Sequence, residues 1–258
     1  MIFFLTLLVL LWVYMTVWFV ISLWKKRNDV ADVAWGLGFV LMAWASMVLA
    51  PDNPSVRALL VTGLVSVWGM RLAWHIGKRH IGKPEDFRYA TWRQTWGKWF
   101  VLRSYGQIYL LQGFLLFLVV SPVLVINHMP GNPWSLLDGV GLFVWCLGFF
   151  FEAVGDAQLA SFIRSPENKG KLMQGGLWSL TRHPNYFGEV TQWWGIWIMA
   201  LSVPFGAFAI VGPVVITLLI LKVSGVPLLE KKMAEHPDFA RYRARTNMFF
   251  PGLPKKIV

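Results

Sequence analysis

Seven apolar runs, near residues 2–24, 31–50, 56–76, 105–127, 134–160, 185–203 and 205–224, constrain this chain more than any other feature. Each approaches the ~20 residues that an α-helix needs to cross a bilayer, where every backbone polar group must be satisfied within the segment. The reading is an all-α, polytopic integral membrane protein: a seven-helix bundle folded as one membrane domain over 1–258, multi-pass and, in a bacterium, of the cell inner membrane. With 56% hydrophobic and only 14% charged residues, little is left from which to build a soluble domain. The first run lacks a basic leader and a cleavage pattern, and reads as a retained helix.

The net charge of +11 suggests nucleic acid until the cations are mapped. They fall between apolar runs: Lys25, Lys26 and Arg27 after the first, Lys78 to Arg103 between the third and fourth, Arg164 to Arg182 between the fifth and sixth, and a basic tail after the seventh. The intervening loops are almost free of Lys and Arg. The positive-inside rule then puts the N-terminus outside and the C-terminus in the cytoplasm. Membrane lipids are the expected partners, with no nucleic acid and no obligate protein partner. Many of the sixteen tryptophans (Trp24, Trp74, Trp99, Trp134, Trp178) fall at run ends, as interfacial anchors do. The single cysteine, Cys146, excludes an internal disulfide and reads as packing; the five scattered histidines make no metal set. Gly131–Pro133 and Pro204 read as tight external turns.

Ionisable residues inside apolar helices are costly and mark a ligand cavity or a bundle interior. The densest such stretch is Gly175–Glu189, GGLWSLTRHPNYFGE. Two glycines permit a tight turn, Pro184 starts a helix, and Arg182 and His183 precede it where free backbone N–H groups and the helix dipole attract an anion. Asn185, Glu189 and Gln192 then share one face. Glu152 and Asp156 share a face of the fifth run and suit acceptance from ribose hydroxyls or an amide. In the second run Asp29 reads as a helix cap and Asp32 as the candidate catalytic group; Arg71 and His75, at i and i+4 of the third, are expected to meet Asp32 or an anionic ligand. The tail from Lys231 to Pro251, with Arg241, Arg243 and Arg245, reads as an interfacial helix or as a lid over a cofactor. Dinucleotide, P-loop, zincin and serine-hydrolase signatures are absent.

The motif Gly175-Gly176-Leu177-Trp178 followed by Arg182-His183-Pro184-Asn185-Tyr186-Phe187-Gly188-Glu189 resembles the C-terminal cofactor region of the membrane steroid 5-alpha-reductases and their bacterial relatives. Asp156 with Arg164-Ser165-Pro166, and Glu230 to Pro251, are similar in order and spacing, so the likeness covers residues 145–251. It implies a seven-helix bundle that binds NADPH on the cytoplasmic side. Residues 131–258 would form the cofactor region and 1–130 the substrate-side helices. Carried over by position, Asp156, Arg164, Asn185, Glu189, Lys222 and Glu230 surround the cofactor and Arg71 reaches in. Glu152, Arg182, His183, Tyr186, Arg241 and Arg245 complete the expected set. Where steroid-reducing members polarise the carbonyl with a glutamine–glutamate pair and a tyrosine, this chain offers Asp32 and Trp68. The segment from Trp68 through Glu85-Asp86-Phe87-Arg88-Tyr89 resembles the bacterial relatives instead. The expectation is an NADPH-dependent reductase of a conjugated double bond in a lipophilic substrate, with Asp32 donating to the carbonyl oxygen. Isoprenylcysteine-type and phospholipid methyltransferases share the Arg-His-Pro-x-Tyr piece, which leaves an S-adenosylmethionine-dependent methyltransferase as the alternative, and a non-catalytic membrane subunit as a third.

Overall fold

The computed structural model describes residues 1–129 and 133–255; Gly131 and Asn132 of the expected external turn lie outside them. The described residues form helices and turns, with one isolated bridge between Thr181 and Asn247. Five helices are long and apolar enough to cross a bilayer: Ile2–Lys25 (α1), Val30–Val48 (α2), Val56–His80 (α3), Leu136–Arg164 (α8) and the broken helix Gly206–Met233. A sixth candidate is the pair Phe87–Val119 and Ser121–His128, bent by 52°. The stretch expected as another span, Pro184–Ala200 (α10), is a helix of 17 residues. The chain is an integral, multi-pass membrane protein with five or six candidate spans by these criteria.

Two compact units divide the chain. Residues 1–134 and 200–212 make unit 1; residues 135–199 and 213–258 make unit 2.

In unit 1, α2 and α3 form an antiparallel pair that approaches at two glycines. A Cβ on Gly36 would lie 2.7 Å from the carbonyl oxygen of Gly69, and one on Gly69 would lie 2.6 Å from that of Gly36. The Tyr14 hydroxyl of α1 donates to the Ala34 carbonyl at 2.8 Å. Ser121–His128 (α7) adds Asn127, whose amide donates to the Ala43 carbonyl, Ser46 and Thr62. Leu11, Met15, Phe39, Val65, Trp68 and Leu116 fill the interior. Phe87–Trp96 (α4) and Phe100–Arg103 (α5) lead through a π-helical turn, Ser104–Leu110, into Leu111–Val119 (α6).

Unit 2 is built on α8 against α10. Glycines occur at every seventh residue on both: Gly141, Gly148 and Gly155 face Gly195, Gly188 and Pro184. A Cβ on Gly148 would sit 2.6 Å from the Gly188 carbonyl oxygen, and one on Gly141 2.6 Å from that of Gly195, so the two backbones are in direct contact. On α8, Trp145, Glu152 and Asp156 lie on the same buried stripe as these glycines. Leu177–Leu180 (α9) precedes α10; Val211–Leu218 (α11) runs through a π-helical turn, Leu219–Val223, towards Val226–Met233 (α12); Phe239–Arg245 (α13) ends in an extended tail.

Trp24, Trp74, Trp99 and Trp134 are exposed, as interfacial anchors are. Trp178 is 5% exposed and is no anchor: its indole N–H donates to the Gly155 carbonyl at 3.0 Å, which holds it in the interior. Cys146 is exposed rather than packed, because it lies off the glycine stripe of α8.

Replacing Gly148 with Leu should lower unfolding stability in detergent by about 3 kcal/mol, since the backbones must separate. Gly139→Ala meets nothing within 4 Å and should leave stability unchanged or slightly raised. Thermal unfolding of the two variants measures the difference.

Candidate functional site

Gly176 adopts φ +58 and turns the chain into α9; the Leu177 N–H is capped by the Gln158 side chain at 3.0 Å. Thr181 is extended and pairs with the tail, its hydroxyl donating to the Phe249 carbonyl at 2.8 Å while the Arg182 N–H donates to the Asn247 carbonyl at 2.9 Å. The Tyr242 hydroxyl, whose pKa burial raises above the usual phenol range, donates to the Trp178 carbonyl at 2.6 Å. The tail therefore lies against the motif rather than free at an interface. Pro184 then starts α10, as its fixed φ and missing N–H favour.

Arg182, His183 and Glu230 come together at this junction. Arg182 is 4% exposed; its Nε and Nη2 grip the two carboxylate oxygens of Glu230 at 2.8 and 2.9 Å, and its Nη1 donates to the Thr246 carbonyl at 2.6 Å. Those bonds tie α12, the motif and the tail together and commit most of the guanidinium to protein acceptors. His183, fully buried, sets Nε2 3.0 Å from Glu230 and stacks on Tyr186.

One turn on, the Asn185 amide donates to Asp156 at 3.1 Å, and Gln192 donates to Glu152. Since a carboxylate only accepts, these bonds fix which way each amide points. Asn185 Oδ1, Gln192 Oε1 and His183 Nδ1 are then buried without a hydrogen-bond partner among the described residues. Buried acceptors left open cost about 1–3 kcal/mol each, which a ligand carrying N–H or O–H donors would recover. Glu189 is half-buried on the same helix. Arg164, Lys222, Arg241 and Arg245 are exposed. An open groove of about 420 Å³, lined in part by Gln158, Ser161, Ser165 and Asn168, follows the C-terminal end of α8 beside Arg164.

Asp32 and Arg71 belong to unit 1. Asp32 accepts from Arg88 Nη2 at 2.7 Å and from the Tyr89 hydroxyl at 2.6 Å, two side chains to which sequence reasoning gave no role at this site. Arg71 is half-buried on α3. Nearby, Asp29 pairs with Arg27 through two 2.6 Å bonds and accepts the Asp86 N–H at 3.0 Å, while Arg93 pairs with Glu85 at 3.0 Å. Asp29 does begin α2 but makes no capping bond, because its side chain is spent on Arg27. Glu85 and Asp86 followed by Arg88 and Arg93 show that charges of both signs stand close together, but nothing in their spacing identifies Asp32 as a partner.

A family model described as "Protein of unknown function (DUF1295)" matches residues 18–246. Among curated proteins, a chain named "Steroid 5-alpha-reductase DET2" from Gossypium hirsutum is 36% identical over 76 residues, 29% of this chain and 29% of that protein. One named "Probable O-methyltransferase ustE" from Ustilaginoidea virens is 40% identical over 55 residues, 21% of this chain and 18% of that protein. The matches thus span less than a third of either relative. No solved structure matches.

Two measurements check the ties described above. Burial pushes the Asp29 carboxyl up, but Arg27, the Asp86 N–H and His80 outweigh it and hold the pKa below the usual carboxylate range. A lowered folded pKa contributes stability above the unfolded value, about 3.9, that is lost as pH falls through the folded value. Wild-type unfolding temperature should therefore drop on acidification below about pH 4, and Asp29→Asn should start lower and drop less. In unit 2, Glu230→Ala leaves Arg182 buried with no carboxylate and should cost about 3 kcal/mol, with faster proteolysis of residues 246–252.

Proposed function

This chain belongs to the DUF1295 family, and we propose that it is a membrane reductase using NADPH to saturate a conjugated carbon–carbon double bond in a lipophilic, steroid- or isoprenoid-like substrate. The observation that carries the reading is the pair of buried carbonyl oxygens on α10, Asn185 Oδ1 and Gln192 Oε1, left open beside the Asp156–Asn185 and Glu152–Gln192 pairs, with His183 Nδ1 also open just before the helix. The local identity to a protein named as a steroid 5-alpha-reductase supports it.

The residues present fit a dinucleotide. A carboxamide and ribose hydroxyls supply the donors that the open acceptors lack. Asn185 and His183 would take the donor-rich end, Asp156 and Glu152 would hold Asn185 and Gln192 in position, and the exposed Arg164, Lys222, Arg241 and Arg245 would meet phosphates. When bound, NADPH supplies the reducing equivalent.

In unit 1 the proton sits on Tyr89 and its acceptor is Asp32. Asp32, itself paired with Arg88 at 2.7 Å, positions the Tyr89 phenol, which is the group that would donate to a substrate carbonyl. The basic loops imply that the C-terminus and the nucleotide face the cytoplasm, with an extracytoplasmic N-terminus.

S-adenosylmethionine, with an ammonium and a ribose, offers the same acceptors similar donors; the local match to a probable O-methyltransferase supports this second reading. Titration of the purified chain with NADPH, NADH and S-adenosylmethionine separates the two. NADPH should bind, and Asn185→Ala should weaken it about tenfold without loss of helicity. Binding of S-adenosylmethionine with none of NADPH would overturn the reductase reading.

A further inference from the structure

The end of unit 1 that holds Asp32 carries more positive charge than its own carboxylates use. Contacts place the contributing segments together. Arg93 donates to the Lys26 carbonyl at 3.2 Å, His80 lies 4.0 Å from Asp29, and Asn28 donates to Ser104 at 3.0 Å, which brings the ends of α1, α3 and α5 to one place. The four carboxylates here are taken: Asp29 by Arg27, Asp32 and Asp86 by Arg88, and Glu85 by Arg93. Lys25, Lys26, Lys78, Arg79, Lys98 and Arg103 remain exposed, with no carboxylate partner among the described residues.

Exposed apolar side chains stand among these cations: Trp24, Trp74, Phe87, Trp99 and Leu102 are all more than half exposed. Lys98 lies over the Trp99 ring at 5.9 Å. The patch is continuous with α1, whose Val9, Trp12, Val17 and Val20 are exposed along an apolar helix of bilayer length. Indoles beside cations at the end of a lipid-facing helix fit the headgroup layer, where rings enter the acyl boundary and ammonium and guanidinium groups reach phosphates.

We propose that this end of unit 1 is a docking surface for anionic glycerophospholipids. The exposed cations here bind headgroup phosphates, while Trp24, Trp74 and Trp99 set the depth. Arg27, Arg88 and Arg93 are spent inside the protein and do not contribute. The surface holds whether or not the chain is a reductase.

Native mass spectrometry of the full chain in a neutral detergent, with phosphatidylglycerol or phosphatidylcholine added, tests it. The wild type should retain phosphatidylglycerol over phosphatidylcholine by about tenfold or more. The combined Lys78→Gln, Arg79→Gln, Lys98→Gln and Arg103→Gln variant should lose most of that preference while keeping its helical signal. A variant with Arg241, Arg243 and Arg245 changed to Gln should keep it. Should the combined variant fail to fold, Lys98→Gln alone, and the wild type at high salt, should each show a reduced preference. Equal retention of the two lipids, or a preference lost only in the tail variant, would overturn the proposal.

Discussion

Unit 2 depends on backbone contact between α8 and α10. A carboxylate in the middle of an apolar helix is tolerated only where a partner can reach it, and Gln192 reaches Glu152 because Gly148 and Gly188 let the helices touch. With side chains at those glycines the helices would part, and Glu152 and Asp156 would lose their amides. The seven-residue glycine spacing and the acids four residues apart are thus one device: small residues bring the backbones close, and the polar pairs fill the stripe between.

Arg182–Glu230 acts differently. A buried ion pair recovers little more than its own desolvation cost, so its contribution lies in geometry. By bonding Glu230 and the Thr246 carbonyl it fixes α12 and the tail against the start of α10, and keeps Asn185 and His183 in place. Unit 1 follows the same rule with more charges: each carboxylate near Asp32 meets an arginine, and the surplus cations are left at the surface.

Much of this was legible in the sequence. The helical class follows from apolar run length, the start of α10 from Pro184, and the shared faces of Glu152 with Asp156 and of Asn185 with Gln192 from helical spacing. The partners were not. A run of charges such as Glu85-Asp86-Phe87-Arg88-Tyr89 reads as a solvated loop until the fold brings it to Asp32. The bond from Arg182 to Glu230, 48 residues away, is likewise invisible to local reasoning. Trp178 read as an anchor from its place near a run end, whereas its N–H finds the Gly155 carbonyl. Of the seven apolar runs, five or six form helices long and apolar enough to be candidate spans, and the run that became α10 forms a helix of 17 residues.

The central proposal is that α10, held against α8, presents open acceptors to a nucleotide. Hydrogen exchange on the purified chain, with and without NADPH, tests it most directly. The account predicts slowed exchange in peptides covering 152–158 and 181–192, with none from S-adenosylmethionine at the same concentration. Unchanged exchange in both segments, with NADPH present in excess, would contradict it.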